Sequence, residues 1–143
     1  MGGMQTILAL LAVTLFSSMT LNSYNNLLQQ NDVLEVSYLT LQAQEIVDRY
    51  FQKIECEILA GKSAVDVKNN ITSIVPANII IGKDTFTFAL RRAALCSKSG
   101  NTASPDNHIV LVQLVLTSNY GGRTVTAGTM ANPESAIFSE SVK

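Results

Sequence analysis

Charge is the first thing this chain lacks. Residues 1–31 contain no Asp, Glu, Lys, Arg or His, and across all 143 residues only 15% are charged. Lys and Arg number 10 against 11 Asp and Glu, a net charge of −1. The basic surplus that neutralises a phosphate backbone is missing, so nucleic acid is not an expected partner. There is no Trp, one His and two Cys. A single His cannot build a histidine-based metal site without several partners of other types, and two Cys allow at most one bridge. No Gly or Pro lies between Gly3 and Gly61, so nothing in that stretch forces a helix to stop. A chain of 143 residues has room for one domain, with or without an extended appendage, and this excludes a large multidomain enzyme.

What is present is apolar. Hydrophobic residues make up 47% and the mean hydropathy is +0.23, too apolar for disorder and rich for a small soluble domain. Such a composition predicts contact with lipid or with another chain. Of the 18 residues in 4–21, 12 are apolar, enough for a marginal bilayer-spanning helix. The remaining six are Gln5, Thr6, Thr14, Ser17, Ser18 and Thr20. Hydroxyls can bond the carbonyl one turn back and cost less in lipid than a charge, so the segment is expected to enter a membrane and to leave it again. Two other readings of 4–21 stand beside this one. A secretory signal peptide wants a positive n-region and small residues at a cleavage site, and a buried helix of a soluble core normally carries some flanking charge.

The charge that follows is zoned. Residues 32–60 hold six acids and two bases, 2 − 6 = −4, whereas residues 61–143 hold eight bases and five acids, 8 − 5 = +3. From Leu39 the apolar residues fall at Leu39, Ala43, Ile46, Val47, Tyr50, Ile54 and Ile58, the spacing of one helical face. Glu45 with Arg49, and Lys53 with Glu57, stand four apart as helix-supporting pairs, and Gly61 supplies a stop. The expected helix runs nearly unbroken for about 55 residues, or roughly 80 Å.

Beyond Gly61 the period changes. One or two helical turns are expected in 66–74 before Pro76, then a short apolar run at 78–81 and a turn at Gly82-Lys83-Asp84. Residues 85–91 alternate with period two, with Phe86, Phe88 and Leu90 on one face. Residues 108–117 read as a central strand covered on both faces. A hairpin turn at 119–122 leads to a strand near 123–129, and 136–142 offers a last edge strand. The predicted fold class is α+β, with the long helix across a three- or four-stranded antiparallel meander, burying the 39–58 face against Phe86, Phe88, Val110, Val112 and Leu114. Three zones result: an apolar helix over 1–31, its amphipathic continuation over 32–60, and a β-rich head over 61–143.

A charge-free apolar N-terminus that continues as one long helix, amphipathic in its second half and packed on a small antiparallel sheet, resembles the type IV pilins and pseudopilins. In that family a short basic leader ends in Gly, and the mature chain begins with Phe or Met followed at its fifth position by Glu. Here Gly3 precedes Met4 without a Lys or Arg before them, and the fifth residue from Met4 is Leu8. The resemblance implies a processing junction at Gly3 and Met4. It also implies a filament-core helix bearing Ile7, Leu8, Leu11, Val13, Leu15 and Phe16. It further implies insertion in the inner membrane before assembly, pilus assembly machinery and copies of itself as partners, and an extracellular filament as destination. The alternative is a membrane-tethered or secreted envelope binding module that does not polymerise. A small soluble enzyme behind a cleaved signal is a third class; with no catalytic constellation in view, neither enzymatic activity nor a cofactor is expected.

Five groups of residues invite chemistry. Gly61-Lys62-Ser63 resembles the end of a phosphate-binding loop, but position 56 is Cys where that loop needs Gly, and a helix precedes it where a strand should. His108 and Asp106 lack a strained nucleophilic Ser nearby in sequence. Glu55 and Glu57, two apart, point to different helix faces and make a poor acid/base pair. Asn70-Ile71-Thr72 is a glycosylation sequon, which makes Asn70 a candidate for modification in a suitable host. Cys56 and Cys96, 40 positions apart, are either a disulfide worth roughly 3 to 4 kcal/mol or a pair of reduced thiols. An extracytoplasmic location favours the bridge.

Overall fold

A computed structural model describes residues 2–120, 123–127 and 133–140. Helix α1 spans Gly2–Leu59, followed by α2 (Ala64–Asn69) and α3 (Ile71–Ile74). The strands are β1 (Asn78–Ile81), β2 (Asp84–Cys96), β3 (Asp106–Tyr120), β4 (Arg123–Ala127) and β5 (Glu134–Ser139). The chain is of the α+β class, a long helix with a small antiparallel sheet. It divides into two compact units, Met1–Ser37 and Tyr38–Lys143.

In the second unit α1 buries Leu39, Ala43, Ile46, Val47, Ile54 and Ile58. These are the residues whose spacing predicts a helical face, with Tyr50 half-buried among them. Tyr50 meets Phe88 of β2 edge to face, with ring centroids 5.6 Å apart, and Phe51 meets Phe138 of β5 at 6.3 Å. The helix therefore lies against β2 and β5, over a floor of Phe86, Val110, Val112 and Leu114, all buried. Its end is a Schellman turn: Lys62 N–H donates to the Glu57 carbonyl and Gly61 N–H to that of Ile58, with Gly61 at φ 106°.

That turn redirects one expected ion pair. Glu45 and Arg49 pair at 2.6 Å as the spacing predicts, but Glu57 takes Lys62 at 3.3 Å rather than Lys53. The chain reversal at Gly61 carries Lys62 back beside Glu57. Lys53 instead donates to the Ile74 carbonyl at 3.4 Å and lies 5.8 Å from the Tyr50 ring centre.

The sheet departs from a simple meander at one point. Strands β1, β2, β3 and β4 follow in order, but β5 pairs with β3 rather than extending past β4. The cause is length. β3 has 15 residues and β4 covers only Leu116 to Tyr120, which leaves the edge at Ile109 to Leu114 open for β5. Paired on both sides, β3 buries Ile109, Val110, Val112, Leu114, Val115 and Leu116. The Gly82-Lys83 loop joins β1 to β2 with Gly82 at φ 62°, the first-position glycine of a type II′ hairpin. β2 continues through Arg92 to Cys96, with register shifts at Phe88/Leu90 and Leu95/Cys96. The expected turn at 119–122 and the ends of the strands expected near 123–129 and 136–142 lie in part outside the described residues.

Ile54 has no exposed surface and sits at the centre of the helix face that covers the sheet. Ile54→Ala is expected to cost about 2 to 5 kcal/mol of stability. Thermal unfolding of the detergent-solubilised chain, followed by near-ultraviolet circular dichroism, checks this; an unchanged midpoint would mean that the helix does not cover the sheet.

Candidate assembly surface

Through Glu35 every described residue of α1 is exposed. The candidate filament-core residues Ile7, Leu8, Leu11, Val13, Leu15 and Phe16 all show more than half of their surface, Phe16 as much as 74%. Gly3 and Met4, the candidate junction, lie in the first turns of the same helix. The polar side chains interrupt this surface less than their number suggests. Thr6, Thr14 and Thr20 donate to the carbonyls of Gly2, Leu10 and Phe16 at 2.7, 2.8 and 2.9 Å. Each threonine thus spends its hydroxyl proton on its own helix and presents a methyl group outward. The helix is long and apolar enough to cross a membrane.

Cys56 and Cys96 are free thiols, Cys56 exposed and Cys96 buried, so the candidate bridge is not formed in this structure. The helix explains the separation. Cys56 lies two residues from both Ile54 and Ile58, about 200° around the axis from each, and therefore turns away from the sheet that those two residues face. Burial raises the Cys96 thiol above its ordinary value and keeps it protonated. Asn70 is exposed between α2 and α3. Ser63, of the Gly61-Lys62-Ser63 triplet, caps α2 by accepting from Asp66 N–H at 3.1 Å.

His108 takes a partner that sequence spacing hides. Asp106 accepts the His108 backbone N–H at 3.0 Å, whereas the imidazole Nδ1 lies 2.9 Å from Glu140 Oε2. The residues are 32 apart in sequence but adjacent across the β3 and β5 ladder, one step beyond the Ile109 and Ser139 pair. The other oxygen of Glu140 accepts from Ala64 N–H at the start of α2. Glu140 thus ties the end of β5 to both α2 and β3. The bond to Glu140 raises the His108 pKa above its ordinary value, and the Ala64 N–H, with the His108 ring, lowers that of Glu140.

A groove borders the second half of α1, lined by Ile46, Arg49, Tyr50, Lys53, Ile79 and Ile81 and about 390 Å³ in volume. Sequence spacing does not show it, since spacing gives Arg49 and Lys53 an acid partner each; its floor from β1 emerges only once the strand is placed. Among the described residues, no three or more His, Cys, Asp or Glu side chains gather as metal ligands. In comparisons with known proteins, no family model, no curated protein and no solved structure matches the chain.

Two outcomes follow from these side chains. In detergent-solubilised native chain a maleimide should label one thiol per molecule, at Cys56, and a second only after unfolding; rapid labelling of both would contradict the burial of Cys96. Because the native His108 pKa is raised, its contribution to stability is complete below about pH 6.5 and is lost as pH rises through the raised value. The lowered Glu140 pKa acts oppositely, its contribution fading as pH falls through the native value. His108→Ala should therefore abolish a decline in thermal midpoint that the native chain shows as pH rises above about 6.5. Parallel pH profiles for the two proteins would show that the pair is idle.

Proposed function

We propose that this chain is a structural subunit of an extracellular filament with a type IV pilin-like architecture, held together by the charge-free part of α1. The observation that carries this reading is that Ile7, Leu8, Leu11, Val13, Leu15 and Phe16 each expose more than half of their surface on a helix without a charge before Asp32. Fully burying one such side chain is worth about 1.5 to 3 kcal/mol, so a run of them in water is a standing drive toward association. Packing copies of the segment together satisfies it. The absence of charge then has a reason, because an unpaired charge in a dry interior costs several kcal/mol. In this reading the helix resides in a membrane before assembly, where the threonine bonds to the backbone lower the cost of each hydroxyl.

A second reading, a membrane-tethered envelope module that does not polymerise, draws on the same ability of α1 to span a bilayer. Electron microscopy separates the two. Under the filament reading, negatively stained cell-surface material shows filaments containing this chain. Leu11→Lys or Phe16→Asp should abolish them while the domain from Tyr38 onward keeps its circular dichroism. If the purified full-length chain stays monomeric in dilute detergent-free buffer, the filament reading is wrong.

A further inference from the structure

The groove beside α1 has two kinds of wall. Ile46, Ile79, Ile81 and the Tyr50 ring are apolar, and Arg49 and Lys53 stand along one rim as bases one helical turn apart. Neither base is strongly committed. Among the described residues Arg49 pairs with Glu45 alone, on a surface where both side chains are mostly exposed, an arrangement worth little and easily exchanged. Lys53 has a long bond to the Ile74 carbonyl and, among the described residues, no carboxylate partner.

The same chain carries a segment of matching chemistry. Asp32 and Glu35 are the first acids of the sequence, both exposed, and among the described residues neither enters an ion pair. Three residues apart, they share one helical face with Leu28, four before Asp32, which is itself partly exposed. The stripe therefore runs apolar, acidic, acidic. Asp32 and Glu35 are separated by about 4.5 Å of helix rise and Arg49 and Lys53 by about 6 Å, so two carboxylates can meet two bases at once. We infer that the groove receives the Leu28, Asp32 and Glu35 stripe of a second copy of this chain, with Leu28 against the isoleucines and the acids against Arg49 and Lys53. This rests on the filament reading and adds the contact that fixes the stagger between neighbouring subunits, since a shift of one helical turn would leave one acid, rather than two, opposite a base.

A charge swap in the full-length chain tests it, with assembly followed by sedimentation after dilution from detergent. Replacing Arg49→Glu together with Lys53→Glu should raise the concentration needed for assembly about tenfold, and Asp32→Lys with Glu35→Lys should do the same. All four side chains are exposed, and an unchanged thermal midpoint shows that neither variant has lost its fold. Combining the four substitutions should bring assembly back to within about twofold of the native chain. Raising salt should weaken native assembly through these pairs. If either double variant assembles as the native chain does, or the fourfold variant is worse than both, the pairing is wrong and the filament reading stands. If the native chain itself does not sediment, the filament reading falls and the pairing with it.

Discussion

The structure depends on one constraint: a single helix carries an apolar stripe that becomes buried from Leu39 onward. From there to Ile58 the stripe is covered, and the sheet beneath it exists largely to provide that cover. Tyr50 on Phe88 and Phe51 on Phe138 fix where the helix lies across β2 and β5. Before Leu39, the residues Ile7, Leu8, Leu11, Val13, Leu15 and Phe16 are apolar and exposed. The change is one of pattern as well as of contact. Up to Asn31 the sequence has apolar side chains on every face and no charge; after it, charged residues return and the apolar ones retreat to one side.

The sheet shows how a small head covers a helix of this kind. Its longest strand, β3, is paired along both edges because two short strands share one of them. That arrangement buries six apolar side chains of β3 and gives the helix a firm floor. Glu140 closes the construction just beyond β5 by accepting the Ala64 N–H and contacting the His108 ring, so the last strand is held to the first short helix by side-chain chemistry rather than by apolar area.

Most of this architecture was legible because its periods are strong. The face from Leu39 to Ile58, the strand alternation at Phe86 and Phe88, and the stop at Gly61 are local signals, and each is found where the residues place it. What sequence spacing missed is what depends on register. Lys62 displaced Lys53 as the partner of Glu57 because the Schellman turn folds the chain back. Glu140 reaches the His108 ring from 32 residues away because β5 returns to β3. The Cys56 and Cys96 pair was suggested by helix and strand being neighbours, but neighbouring elements do not guarantee facing side chains, and a two-residue offset from Ile54 turned Cys56 outward. The groove was not legible in spacing, because spacing gives Arg49 and Lys53 an acid partner each and the isoleucine floor comes from β1.

The first half of α1 presents one further physical problem, which is why a helix suited to lipid should also suit the interior of an assembly. Hydrocarbon and a dry helical bundle penalise the same thing, a polar group without a partner. Thr6, Thr14 and Thr20 meet that demand before either environment is chosen, by bonding to carbonyls of their own helix. What then separates the two environments is packing, because lipid tails conform to any surface whereas a neighbouring helix must fit. Ala9 and Ala12, three apart, lie on one face and permit close approach there, while Leu8, Leu11 and Leu15 make a ridge at three- and four-residue spacing. A helix with a ridge and a shallow groove loses nothing in lipid and gains dispersion contacts when a copy fits against it. Under the proposed filament reading, transfer from bilayer to bundle would need no change in the helix itself, only a neighbour whose acids and bases fall in register with its own.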